Sequence, residues 1–150
     1  MKHRGCKTEH ESDRINALIS AYRRELGACR RIDNNEIWQK VVEMPCRQFW
    51  VSDYRAAIVV SAMLRGESLE GMRPTKREMY EEICRRTLKR LKESPGTPLL
   101  HAVGEVVNEE APKFYLTPGT ARVMYYNEKR RLRRAKANMA NQTNKTNKTN

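Results

Sequence analysis

The chain has 150 residues, of which 39% are apolar and 32% are charged, and this composition fits one small globular domain with a heavily charged exterior and excludes a wholly disordered chain. The longest apolar run, Ala56 to Leu64, is too short to cross a bilayer, so a membrane-spanning protein is excluded as well. The formal net charge is +12, and +9 of it lies in residues 113–150. Positive charge concentrated at one end of a chain favours a polyanionic partner.

The N-terminal segment and the cysteines carry little functional signal. Residues 1–11 have no periodic pattern, and we predict a flexible N-terminus there. His3, Cys6 and His10 have no fourth ligand at a finger-like spacing, so we expect no metal site. The four cysteines form no CxxC pair, and the chain lacks the basic and apolar regions of a secretory signal. We therefore expect reduced cysteines in a cytoplasmic protein.

The first half of the chain predicts three helices. Ser12 is the expected cap of the first, in which apolar residues recur at three- and four-residue spacing. The second is expected to begin at Asn34 or Asn35. The third follows Ser52, a good N-cap, and should end near Leu64. Because this third helix is apolar nearly all round, we expect it to be the most buried element.

The second half predicts three more helices. Thr75 and Glu78 fit a capping box that opens the fourth. Thr97 is the expected cap of the short fifth helix, and Thr117 the cap of the sixth, which should end near Lys136.

These elements together predict an all-α fold of about six helices in one small domain. The helical domain is expected to span residues 12–137. The Asn-, Lys- and Thr-rich residues 138–150 are too polar to bury a core, and we predict a disordered tail there.

Two stretches of the chain match at an offset of 65 residues. Phe49-Trp50-Val51-Ser52 aligns with Phe114-Tyr115-Leu116-Thr117, and Val41-Val42 aligns with Val106-Val107. The match predicts two helix-turn-helix-like repeats over about residues 35–66 and 98–137. Each repeat is either a packing solution used twice inside the core or a unit whose second helix faces a nucleic-acid groove.

The helix after Thr117 is far more basic than the helix after Ser52. Glu128 is the only acidic residue between Arg122 and Lys136. Interaction with the helix dipole, at roughly 0.3–1 kcal/mol per charge, accounts for one or two cations at a helix end but not for this cluster. One side of the helix is expected to dock on the body through Ala121, Met124, Tyr125 and Leu132. The residues predicted to bind nucleic acid are Arg122, Tyr126, Lys129, Arg130, Arg133, Arg134 and Lys136.

These patterns favour a non-enzymatic accessory protein that binds nucleic acid, with duplex DNA preferred over RNA. No Gly-rich phosphate loop, nucleophile elbow or zinc-protease signature occurs, so we expect neither catalysis nor a cofactor. The alternative is a protein–protein adaptor, or a virion or assembly component, whose basic tail meets an acidic protein or a second copy of the chain. Its anchors would be aromatic side chains that the sequence allows in either the core or an interface, namely Phe49, Trp50, Phe114 and Tyr115.

The segments EIWQKVVEMPCRQFWVSDYRAAIVV and EAPKFYLTPGTARVM resemble small basic proteins of phages and mobile elements of gut bacteria. The resemblance covers about residues 33–132. That group has no established activity, so the resemblance implies an accessory DNA-associated role and transfers no catalytic or binding residues.

Overall fold

A computed structural model describes residues 10–148. These residues form six α-helices and no β-strand, which confirms the all-α prediction. None of these helices is both long enough and apolar enough to cross a membrane. The helices are α1 Glu11–Ala28, α2 Asn34–Val42, α3 Asp53–Leu64, α4 Pro74–Glu93, α5 Leu99–Val107 and α6 Pro118–Asn147.

The predicted caps of α3 and α6 are confirmed. The Ser52 hydroxyl accepts a hydrogen bond from the Arg55 N–H at 3.1 Å. The Thr117 hydroxyl accepts one from the Thr120 N–H at 3.2 Å. Each bond satisfies a first-turn N–H that has no partner within its own helix.

The predicted cap of α1 is wrong, and the predicted start of α2 is confirmed. α1 begins at Glu11 with His10 in the cap position and without a side-chain cap, so Ser12 already lies inside the helix. α2 begins at Asn34, one of the two expected positions, and its cap is Asp33, whose carboxylate accepts the N–H groups of Asn35 and Glu36. A carboxylate accepts such bonds more strongly than a neutral amide does.

The predicted caps of α4 and α5 are also wrong. α4 begins at Pro74, and no side chain caps it. The capping box fails because the Glu78 carboxylate pairs with Lys113 instead of returning to the helix start. At α5 the proline precedes the first helical residue, and the Thr97 hydroxyl donates to the Ser94 carbonyl at 2.9 Å.

The connector between α2 and α3 pairs with the connector between α5 and α6. Cys46 and Ala111 exchange two backbone hydrogen bonds, of 2.9 and 2.8 Å, in an isolated antiparallel bridge. Two further bonds of 3.0 Å flank it, one from the Phe49 N–H to the Val107 carbonyl and one from the Phe114 N–H to the Val42 carbonyl. The 65-residue offset relates Cys46 to Ala111, and it converts the Phe49–Val107 bond into the Phe114–Val42 bond, so the pairing is symmetric about the bridge.

Each helix of one aligned stretch packs against a helix of the other stretch. α2 packs against α6, and α5 packs against α3. α1 contacts both α2 and α6, while α4 contacts both α3 and α5. The domain thus consists of two three-helix groups, each built from both halves of the chain and joined through the paired connectors. α6 is held on its inner side by α1 and α2.

The buried residues decide one open alternative about the core and correct one expectation. Phe49, Trp50, Phe114 and Tyr115 are all buried, so they are core residues and not anchors at an interface. α3 is not the most buried element, because Tyr54 is 68% and Ile58 46% exposed. Only one side of α3 packs against α4 and α5, and its opposite side meets solvent despite its apolar sequence.

α6 is longer than the sequence predicts. Instead of ending near Lys136 before a disordered tail, the helix continues to Asn147. Extending an existing helix adds one hydrogen bond per residue without a new nucleation step, so a polar sequence can follow a well-anchored start. The Thr143 hydroxyl donates to the Met139 carbonyl at 2.8 Å, which supports the helical path. Residues 1–9, which hold most of the expected flexible N-terminus, and residues 149–150 lie outside the described residues.

Candidate nucleic-acid interface

An aromatic cluster anchors the first turns of α6 to the body. The Tyr125 ring lies 4.5 Å from the Tyr22 ring of α1 and 5.3 Å from the Trp38 ring of α2, between centroids. Tyr22 and Trp38 stack on each other at 4.5 Å. Ala121, one turn earlier, is fully buried. These contacts fix the direction in which the helix leaves the domain.

Beyond this anchor α6 projects into solvent. Every residue of positions 129–148 is exposed. Leu132, which we expected to dock on the body, is 45% exposed, so the docked side ends about one turn after Tyr125. The expected docking of Ala121 and Tyr125 is confirmed, and Met124 is half-buried.

The predicted binding residues divide into two groups along the helix. Arg122 and Lys129 lie beside the anchor, with their charged ends 5.9 Å from the Tyr126 ring centroid and 5.0 Å from the Tyr125 ring centroid. Tyr126 is half-buried, and Tyr125 meets it edge-on at 5.3 Å, so both neighbours restrict its ring. The structure brings the other residues together on the projecting segment, namely Arg130, Arg133, Arg134 and Lys136.

One ion pair lies within this basic helix. Arg131 donates to Glu128 at 2.6 Å, and these hydrogen bonds lower the pKa of the Glu128 carboxyl and raise that of the guanidinium. The pair neutralises the single acidic residue of the segment. Within residues 10–148 the other cations of the segment pair with no carboxylate, namely Arg122, Lys129, Arg130, Arg133, Arg134 and Lys136.

Two further residues belong to this surface and were missed from the sequence. Asn127 and Arg131 line a shallow depression on α6 together with Arg130 and Arg134. The spacing of three, four and seven residues from Asn127 places all four on one side of a helix and could have identified them. Cations therefore lie on more than one side of the projecting helix.

The basic residues of α4 differ from those of α6 in their partners. Arg86 pairs with Glu82 at 2.8 Å and with Glu109 at 3.2 Å. Arg90 pairs with both Glu105 and Glu109. These arginines join α4 to α5, which is a structural role. Arginines on α4 thus stabilise the contact between helices, whereas those of the projecting part of α6 face solvent.

Other candidate chemistries find no support in the described part of the chain. No group of three or more His, Cys, Asp and Glu side chains there is arranged to hold a metal ion. His3 and Cys6 lie outside the described residues. Burial raises the pKa of the Cys46 thiol to about 11, so this cysteine is a poor nucleophile at neutral pH.

Neither a protein-family model, a curated protein nor a solved structure matches the chain. Its function is therefore inferred from the geometry and charge of its own residues.

Proposed function

We propose that this protein binds nucleic acid through α6 in a non-enzymatic accessory role. The observation that carries the proposal is a set of cations on an exposed helix segment that have no carboxylate partner among residues 10–148, namely Arg130, Arg133, Arg134 and Lys136. Like charges placed this close repel one another, and a polyanion converts that repulsion into attraction. On α4, Arg86 and Arg90 are neutralised by carboxylates. On α6, by contrast, cations without a carboxylate partner among the described residues follow one another along consecutive turns of a single exposed helix.

The dimensions of α6 favour duplex DNA over RNA. A helix of 30 residues is about 45 Å long, and the segment beyond residue 129 reaches roughly 28 Å from the body. The major groove of B-DNA, about 12 Å wide, accepts an α-helix, whereas the deep major groove of A-form RNA does not. The contacts are mainly with phosphates, because arginine and lysine side chains dominate the exposed surface. Binding is therefore expected to depend little on base sequence.

A titration of a short DNA duplex at several salt concentrations tests this function. Contacts with phosphates predict an affinity that falls steeply with salt, with a slope of about 0.9 for each phosphate neutralised. Deleting residues 130–150 removes exposed helix without touching the aromatic anchor, so the fold should persist while the salt slope drops by several contacts. An affinity that does not respond to salt, or that survives this deletion unchanged, would contradict the proposal.

The adaptor alternative has less support than the sequence suggested. Its basic helix remains, but the aromatic side chains meant to anchor a partner are buried. The resemblance to phage and mobile-element proteins is compatible with an accessory role on DNA and adds no residue to the site. Purified protein that carries no nucleic acid and forms a stable oligomer would favour the adaptor.

A further inference from the structure

A second group of cations lines a cavity on the other three-helix group. The cavity has a volume of about 460 Å³ and lies between α3, the loop after it and the start of α4. Its charged lining residues are Arg55 of α3, Arg73 at the end of the loop and Lys76 in the first turn of α4. Ser68 and Tyr80 add hydroxyl groups. Ser68, Arg73, Lys76 and Tyr80 lie within one short stretch of the chain, and the fold adds Arg55 from α3.

No carboxylate lines this cavity. Glu67 belongs to the adjoining loop, but it pairs with Arg65 at 3.4 Å and lies outside the lining. Within the described residues, Arg55, Arg73 and Lys76 make no ion pair. A second surface cavity, along α4, differs in its charge, because two carboxylates, Glu93 and Glu109, line it together with its arginines. The first cavity therefore has a positive lining whose three cations form no ion pair with a carboxylate of the described chain, and Glu70 of the same loop is not among the lining residues.

Tyr80 lies in the lining together with Arg55, and its side chain is only 5% exposed. The backbone N–H of Arg55 donates to the Ser52 hydroxyl, so the main chain of this residue is fixed at the start of α3. The Arg55 guanidinium has several N–H groups to donate to an oxyanion.

The backbone at this cavity adds donors of the same kind. α4 begins with Arg73 in the cap position and has neither a side-chain cap nor an acidic residue in its first turn. The first N–H groups of a helix have no partner within it, and the helix dipole favours an anion beside them. This feature strengthens the site that the three cations define, and it does not define the site by itself.

We propose that the cavity between α3 and α4 binds a phosphate group, with Arg55, Arg73 and Lys76 as its ligands. Arginine matches the geometry of phosphate oxygens with paired N–H groups, and lysine adds a compact charge. The cavity is open to solvent, so the phosphate group of an ester can also reach these cations. The site is separate from α6 and does not depend on nucleic-acid binding there.

Inorganic phosphate is the first probe, added to the full-length protein at constant ionic strength against a chloride control. We expect saturable shifts of the backbone amide NMR signals of Gly71 and Lys76. Arg55→Gln and Arg73→Gln should each weaken phosphate affinity by at least about tenfold. The matched control is Lys89→Gln, which removes an exposed cation of α4 outside this cavity. Thermal unfolding of each variant shows whether the fold is retained, and Lys76→Gln serves as the second test if Arg55→Gln unfolds.

The source of the phosphate is decided by comparing ligands. If 5′-AMP binds with the same dependence on Arg55 while duplex affinity is unchanged in Arg55→Gln, the site takes a free phosphate ester. If Arg55→Gln weakens duplex binding in the same proportion as phosphate binding, the site takes a backbone phosphate of the polymer. Absence of saturable phosphate binding, or full affinity in both arginine variants, would overturn the site. Neither result bears on α6, whose own cations are intact in these variants.

Discussion

Cys46 and Ala111, which are 65 residues apart, bind each other through two reciprocal backbone hydrogen bonds. They occupy matching positions in the two aligned stretches, so the bridge joins each stretch to the other at the same point. Because α2 packs on α6 and α5 on α3, neither three-helix group can form from one half of the chain alone. We therefore expect the domain to unfold in one cooperative step.

Truncating either connector phenylalanine should destabilise the whole domain. Phe49 is fully buried and Phe114 nearly so, and they lie at matching positions. Phe49→Ala and Phe114→Ala should each lower the free energy of unfolding by about 3–5 kcal/mol. Urea unfolding followed by circular dichroism measures both. Leu132→Ala is the control and should cost less than about 1 kcal/mol, because that side chain already faces solvent. A large loss in the control would show that α6 docks further along its length than described.

Removing the confirmed caps should produce two similar, modest losses. Ser52→Ala and Thr117→Ala each remove a hydroxyl that accepts a first-turn N–H. Each should lower the free energy of unfolding by about 1 kcal/mol. Thr75→Ala is the matched control, since α4 has no side-chain cap and the change should be close to neutral. If Thr75→Ala costs as much as the other two, the capping box expected from the sequence forms after all.

Acid should weaken the domain partly through Glu82. Hydrogen bonds from Arg85, then from Arg86, lower the pKa of the Glu82 carboxyl to about 2 from its ordinary 4.5. A folded-state pKa below the unfolded value means that this contribution is complete above about pH 4.5 and is lost as the pH falls towards 2. We expect roughly 1–2 kcal/mol from it, because Arg85 is 65% exposed and water screens the pair.

Urea midpoints at pH 6 and pH 3 measure the effect of Glu82. Glu82→Gln should lose less stability between these two pH values than the unchanged protein does. Glu81→Gln removes a neighbouring exposed carboxylate that makes no ion pair in the described part of the chain, and it should behave like the unchanged protein. Equal acid sensitivity in all three proteins would contradict the role given to Glu82.

Local sequence signals predicted the positions of the helices better than they predicted the contacts and burial of the helical residues. Ser52 and Thr117 were correct as caps because a hydroxyl followed by a helical pattern is a local signal. The box at Thr75 failed because a residue distant in sequence, Lys113, binds Glu78. The aromatic pairs could be placed in the connectors from the sequence, but their burial depends on how the two connectors pair, which no local pattern shows.

For the candidate site, too, local features could be predicted and contacts between distant residues could not. The cations of α6 could be predicted because their clustering is a property of consecutive residues. Whether each cation is paired with a carboxylate could not be predicted. α4 has a similar basic sequence, but its Arg86 binds Glu109 just after α5 and its Arg90 binds Glu105 within α5. The cavity at Arg55 could not be predicted, because no local pattern shows that α3 places Arg55 beside residues 68–80.

Replacing three arginines on the projecting part of α6 tests the interface more directly than deleting residues 130–150 does. Replacing Arg130, Arg133 and Arg134 together with Gln keeps the length of α6 and removes three cations that have no carboxylate partner in the described chain. Each lost phosphate contact should reduce the salt slope of duplex binding by about one. The helical circular dichroism signal should not change, because these side chains contact no other element and glutamine is a good helix former.

The matched control for this variant removes the same charge from elsewhere on the surface. Arg30, Lys89 and Lys92 are exposed, have no carboxylate partner in the described residues and lie outside α6, so their joint replacement with Gln lowers the net charge equally. If binding depends on the local cluster, the control keeps its affinity and slope while the α6 variant loses about three contacts. If the two variants lose affinity equally, the overall charge of the protein governs binding and α6 is not a defined interface. The comparison thus separates a positioned contact from a diffuse attraction, which the net charge alone cannot distinguish.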